Sequence, residues 1–195
     1  MTQDQSQVAA TRIVGGVGTG KTQDLINRAV KALKQGAKAT DVLVLCATPQ
    51  AALAFKARLD AAAEAAGVSA ADVAVTTPRA LALDVMGDAE AIRWSGREPR
   101  LLTDYEKLFL LEDMKVSGLR PKRLREMLKF FYRSWTELAD DDENWLLAGE
   151  ESNIHELVKA NLAFTRSILE PELGNLAVNY LRSHAGARDA HAFAH

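Results

Sequence analysis

Cysteine occurs once in the 195 residues, at Cys46. One thiol excludes an internal disulfide scaffold and a cysteine-built zinc site. It also fits a reducing compartment, and a cytoplasmic location is the expectation. No apolar run approaches the roughly 18–20 residues of a membrane span. The leading MTQDQSQVAATR lacks the basic-then-apolar order of a signal peptide, so no membrane partner is expected. Neither sign of charge dominates: Lys+Arg 24 against Asp+Glu 26 leaves −2. That balance excludes a uniformly basic coat for nucleic acid, and any such contact must come from a local patch. No Ser-His-Asp or paired-carboxylate arrangement emerges from the spacing. What the chain does have is 48% hydrophobic residues. At this length it can bury about two-thirds of its unfolded surface, as one domain or a domain carrying an insert.

The pattern changes part-way along. Residues 1–11 are polar and read as frayed. Arg12-Ile13-Val14 reads as a short strand ending at Gly15. Leu25, Ile26, Ala29, Val30 and Leu33 form one apolar stripe of a helix closed by Gly36. Val42 to Cys46 is a continuous apolar run, expected to be a strand covered on both faces. A helix over Gln50–Ala66, closed by Gly67, and a third strand at Val73-Ala74-Val75 follow. Strand, helix, strand, helix, strand in this order argues for an α/β layer with parallel strands. After about residue 97 only helical patterns remain. Thr103 with Glu106 makes a capping box. Pro121 opens a helix through Leu124, Phe131 and Trp135, and Asn153 with Glu156 signals another start. Asp140 to Glu143 reads as an acidic loop, and Pro171 starts a last helix.

One motif carries chemistry. Gly15-Gly16-Val17-Gly18-Thr19-Gly20-Lys21-Thr22 matches G-x-x-x-x-G-K-[ST] in full, with a β-branched run before it and an amphipathic helix after it. Such a loop turns successive N–H groups inward around a phosphate, and the helix N-terminus adds its positive dipole end. The candidate ATP-binding stretch is Gly15 to Gln23. In it Lys21 neutralises the β- and γ-phosphates and the Thr22 hydroxyl serves Mg²⁺. Hydrolysis also needs an acid on the metal and a group that positions water. Ala80-Leu81-Ala82-Leu83-Asp84 mimics the strand that ends in such an acid. Thr77-Pro78 ahead of it reads instead as N-cap and first position of a helix. The run at 140–143 has too little apolar sequence ahead of it for a strand, so no hydrolytic acid is found.

Three segments together resemble the N-terminal part of UvrD/Rep-type superfamily 1A DNA helicases. They are the phosphate loop with its helix, Val42–Ala52 as motif Ia, and Val75–Ala82 as motif Ib. The resemblance implies a RecA-like parallel sheet (subdomain 1A, residues 1–97 and 171–195) with an inserted all-helical subdomain (1B, residues 98–170). It implies an ATP- and Mg²⁺-dependent motor on single-stranded DNA, of the kind used in DNA repair. Thr48, Pro49, Thr77 and Arg79 are its DNA-contact positions. The missing acid would follow the insert on a further strand, so the resemblance also implies an N-terminal fragment of a longer protein. Such a fragment lacks the second RecA-like subdomain as partner and is weak in hydrolysis alone. Two departures stand out. The family places an aromatic where Ala47 stands and Phe-His where Pro78-Arg79 stands. The Gln that contacts adenine in the family has no clear counterpart, Gln7 lying nearest.

Other features have two readings each. Arg120, Lys122, Arg123, Arg125, Lys129 and Arg133 crowd one helix, as a duplex-DNA patch or as a solvated face. The three tryptophans, with Phe130, Phe131 and Tyr132, are base-stacking platforms or core packing. His191 and His195 are a metal pair or a frayed tail. Cys46 is expected to be a packed small hydrophobe. Alternatives to the motor are a P-loop module of another class, such as a nucleotide kinase or regulatory NTPase, and a DNA-binding or assembly protein keeping a relic loop.

Overall fold

The computed structural model describes residues 11–16, 18–142, 144–146 and 149–193. Two units form, one built on residues up to Val75 and one on Thr76–Ala192. In the first, α1 (Lys21–Lys34), β1 (Leu43–Leu45), α2 (Pro49–Ala65) and β2 (Ala74–Thr76) follow in order. Of the apolar stripe expected on α1, Ile26, Ala29 and Leu33 are buried and Val30 packs beside them, whereas Leu25 is 48% exposed. The three buried residues pack with Phe55, Leu59 and Ala63 of α2 and with Val42 and Val73. Thr48 caps α2 by accepting the Ala51 N–H at 3.2 Å, Pro49 supplies the pre-set first φ, and Gly67 closes the end at φ 72°.

β1 and β2 pair as a small two-stranded parallel sheet, and the chain as a whole is mostly helical. Arg12-Ile13-Val14, expected as a strand, is not one. Three β-branched or extended residues make a strand only where another strand's edge receives their backbone groups, and Val14 is 79% exposed. The expected double covering of β1 also fails. Leu45 stays 50% exposed, while Cys46 is half-buried and packs against the core of this unit, as a small hydrophobe would.

The second unit is all-helical: α3 (Pro78–Gly87), α4 (Ala89–Ser95), α5 (Asp104–Met114), α6 (Pro121–Glu137), α7 (Glu150–Phe164), α8 (Glu170–Ser183) and α9 (Ala185–Ala190). The capping box at α5 is complete. Thr103 takes the Glu106 N–H, and Glu106 takes the Thr103 N–H at 2.8 Å. The Thr103 backbone and hydroxyl, then Arg100, hold the Glu106 carboxyl down to about 2. Asn153 proves interior to α7, which begins at Glu150 after Gly149. The acidic pair Glu150 and Glu151 in the first turn favours that start through the helix dipole. Of the run at 140–143, Asp140 and Asp141 lie in a short 3-10 turn, and Glu143 is outside the described residues.

Two cores divide this unit. Leu110, Met114, Leu124, Met127, Phe131, Trp135, Ile154, Val158 and Leu162 fill one. Ala82, Val85, Met86, Ile168, Leu173 and Tyr180 fill the other. Burying a side chain such as Phe131 or Leu124 contributes about 2 kcal/mol. The chain runs out and returns through one neck. Ile168 donates to Arg100 at 2.9 Å, its carbonyl accepts from Leu102 at 2.9 Å, and Glu98 donates to Arg166 at 3.1 Å. α8 then packs on both α3 and α6.

A buried ion pair and a half-buried histidine sit among these apolar residues. The Arg97 Nη1 meets both oxygens of Glu172 at 2.8 and 2.7 Å, with side chains 7% and 5% exposed. Burial raises the Glu172 carboxyl above its ordinary value, and Arg97 opposes that rise. His155 lies edge-on to Phe131 and Trp145 at centroid distances of 5.3 and 5.0 Å. Burial, with Lys159 adding, lowers its imidazole from 6.5 to about 4. Arg97→Ala is expected to destabilise this unit by about 3–5 kcal/mol, because it leaves a carboxylate buried alone. The double variant Arg97→Met/Glu172→Leu should recover most of that, with urea denaturation as the measurement. His155 makes stability fall as pH drops from 6.5 towards 4, because the unfolded chain takes up a proton that the folded one refuses. Melting temperature against pH should show this slope, and His155→Gln should flatten it.

Candidate functional site

The phosphate-loop motif folds as a turn feeding α1, and Val17 lies outside the described residues. Gly18 and Gly20 both take φ 80°, in the left-handed region that glycine enters without cost. Gly15 is crowded by a neighbouring side chain instead. A Cβ there would stand 2.5 Å from the Thr19 hydroxyl, which itself donates to the Gly16 carbonyl at 2.9 Å. Gly20 is the N-cap of α1 and provides no side-chain cap. The first-turn N–H groups of α1 are therefore left for an external acceptor, with the positive dipole end behind them.

The Lys21 ammonium lies over the loop. It donates to the Gly15 carbonyl at 2.7 Å and to the Gly16 carbonyl, and it stands 3.5 Å from the Thr19 hydroxyl. Thr22 is exposed on the first turn. Gln23 is turned to its neighbours. Its Nε2 donates to Asn27 at 3.1 Å, and its Oε1 accepts from Arg58 of α2 at 2.9 Å. That last bond fixes the first turn of α1 to α2, and nothing in the spacing announced it. A loop with two left-handed glycines, an uncapped helix start, a placed ammonium and an exposed threonine hydroxyl fits a magnesium-bound polyphosphate. The ends of β1 and β2 offer no acid to such a metal, the next residues being Cys46 and Thr77.

The four positions expected at DNA sit at two helix starts of the same design. Thr48 and Thr77 are N-caps, each followed by proline, and each hydroxyl accepts from its own helix, Thr77 from the Ala80 N–H at 3.1 Å. Thr48 and Pro49 are exposed, whereas Thr77 is buried. Arg79 is exposed, and its Nε stands 3.3 Å from Glu170. Asp84 is exposed on α3, so the Ala80–Asp84 run is helical, as the Thr77-Pro78 start predicts.

The weaker features also resolve. All six cations from Arg120 to Arg133 are exposed on or beside α6, with Arg123 tied to Glu150 and Arg133 to Glu137. Phe131 and Trp135 are core residues, and Trp94 packs against Tyr180 and His184. His191 bonds Asp88 at 3.0 Å, and His195 and Gln7 lie outside the described residues. No group of three or more metal-ligating side chains gathers among the described residues. Nor is any helix among them long and apolar enough to cross a membrane.

The model of the UvrD/REP helicase N-terminal domain matches residues 2–172. The chain belongs to this family. The phosphate loop described above lies within a helicase-type ATP-binding region. A comparison with curated proteins finds no match. The small parallel sheet and helices of this UvrD/REP domain fit the α/β helicase fold.

Because Thr77 is a cap before it is anything else, Thr77→Val should cost about 1 kcal/mol, the usual loss for a removed N-cap hydroxyl. Thermal unfolding in the absence of any ligand is the measurement.

Proposed function

We propose that this chain is the nucleotide-gripping part of an ATP-dependent DNA helicase or translocase that acts on single-stranded DNA. The observation that carries the reading is the start of α1, where a left-handed Gly20 leaves the first-turn N–H groups uncapped beneath the Lys21 ammonium. In this reading the backbone from Gly15 to Gln23 holds ATP. Lys21 shifts from the loop carbonyls to the β- and γ-phosphates, and Thr22 holds Mg²⁺. The metal supplies charge neutralisation on the phosphates when bound.

Subdomain 1A, a RecA-like P-loop unit, takes residues 1–97 and 171–195, and the helical insert 1B takes 98–170. The neck at Glu98–Leu102 and Arg166–Ile168 supports the limits of the insert. Thr48, Pro49, Thr77 and Arg79 mark the DNA track. The exposed cations of α6 suit duplex phosphates ahead of it. In this reading hydrolysis draws on an acid for the metal, a water-positioning group and the arginines of a second RecA-like subdomain. The family match favours this reading over a nucleotide kinase.

Lys21→Ala should weaken ATP binding by about 10- to 150-fold, since a charge-assisted contact is worth about 1.5–3 kcal/mol. Equilibrium titration with a fluorescent ATP analogue and magnesium measures this. Unchanged affinity would remove the assignment.

A further inference from the structure

α5 is apolar on two sides. Leu110 and Met114 are buried in the core. Tyr105, Leu108 and Phe109 share the opposite face at helical spacing, and each is more than half exposed. A helix that is apolar all round belongs inside a larger body. Val116, in the 3-10 turn Lys115–Ser117 that follows α5, prolongs the stripe and is 80% exposed. Phe164, at the end of α7, is 87% exposed. α5 and α7 pack together, and Asn161 donates to Asp113 at 2.6 Å. Phe109 and Phe164 each lie one turn from that bond, both towards the neck, so Phe164 borders the stripe. Single exposed apolar residues need no explanation, but a contiguous apolar face marks an interaction site.

The face is already formed. The Tyr105 and Phe109 rings meet edge to face with centroids 5.0 Å apart. Each holds the other's rotamer before a partner arrives, so little side-chain entropy is left to lose. An aromatic side chain buries roughly 150–250 Å², so three of them with Leu108 and Val116 offer several hundred Å² per copy. That approaches the ~800 Å² that each partner gives to a specific complex.

Charge selects the occupant. Asp104 and Lys115 lie on one flank of the stripe, about three turns apart and near its two ends. Asp104 pairs with Lys107 at 2.8 Å and Lys115 with Glu112 at 2.6 Å, all exposed contacts that exchange readily. Acid at one end and base at the other make the stripe complementary to itself. A second α5, turned end for end about Phe109, brings its Lys115 to Asp104 and its Glu112 to the Tyr105 hydroxyl. Two-fold symmetry makes each contact twice. Asp104, Glu112 and Asp113 repel a nucleic-acid strand, and a protein partner of one sign would meet both signs here.

We infer that this face of α5, with Val116 and Phe164, joins two copies of the chain as an antiparallel pair with Phe109 at the two-fold axis. The inference is independent of the nucleotide and DNA readings.

Sedimentation equilibrium of the full chain tests it across the micromolar range, where an interface of this size dissociates. Wild type should pass from monomer to dimer. Phe109→Asp sets two carboxylates against each other at the axis and should weaken the dimer at least about tenfold. Asp104→Lys and Lys115→Asp should each weaken it about tenfold, because symmetry counts each lost pair twice. The double variant Asp104→Lys/Lys115→Asp should recover the wild-type constant. A wild type that stays monomeric throughout overturns the proposal and leaves the face to a different protein. So does a dimer that survives Phe109→Asp in a chain keeping its helical circular dichroism, and so does association that climbs beyond two copies. A double variant no tighter than its singles overturns the antiparallel pairing, and the proposal with it. Should Phe109→Asp fail to fold, the wild-type measurement and the charge reversals decide.

Discussion

A guanidinium and a carboxylate, 75 residues apart in the chain, meet in a place that water barely reaches. The rest of the helical unit is arranged around that meeting. Arg97 precedes the neck through which the chain leaves for α5, α6 and α7, and Glu172 sits in the first turn of the helix that follows its return. Two charges cannot share such a site unless each finds the other, so the outgoing and returning segments are held in one register. The backbone bonds of Ile168 with Arg100 and Leu102 join the same two segments. Apolar burial drives the collapse of both cores, but it is indifferent to small slips. The buried ion pair is not, because a slip leaves an uncompensated charge.

The same constraint bears on the candidate site. α8 carries Glu170 on the turn that holds Glu172, so the pair also sets where Glu170 meets Arg79 of α3. In the other unit a smaller device works alike, with Arg58 holding Gln23 and thus the first turn of the helix that follows the phosphate loop. Both helix starts, of α1 and of α8, are thus held by an arginine from elsewhere in the chain.

Local chemistry was legible in the sequence. Thr48-Pro49, Thr77-Pro78, Thr103 with Glu106, and Pro121 each announce a helix start, because a cap and its partner lie within four residues. The phosphate-loop motif was legible for the same reason. Separations of 75 residues or more carry no such signal, so the Arg97–Glu172 pair and the Arg79–Glu170 contact were invisible. The strand expected at Arg12–Val14 failed because β-branched residues state a preference, not a partner. Asn153 misled because the acidic turn at Glu150 already begins α7 without a side-chain cap. The short helices α4 and α9 gave no apolar repeat long enough to count.

The Lys21 ammonium rests on carbonyl oxygens of its own loop. Its four-carbon stem has therefore surrendered most of its rotameric freedom before any anion arrives. Capture then swaps neutral oxygens for charged ones within a short reach, without first having to arrest a mobile side chain. The same arrangement screens the cation while the loop waits, so stray carboxylates must compete with two backbone oxygens to hold it, and polyphosphate, with more charge to offer, wins that contest more readily.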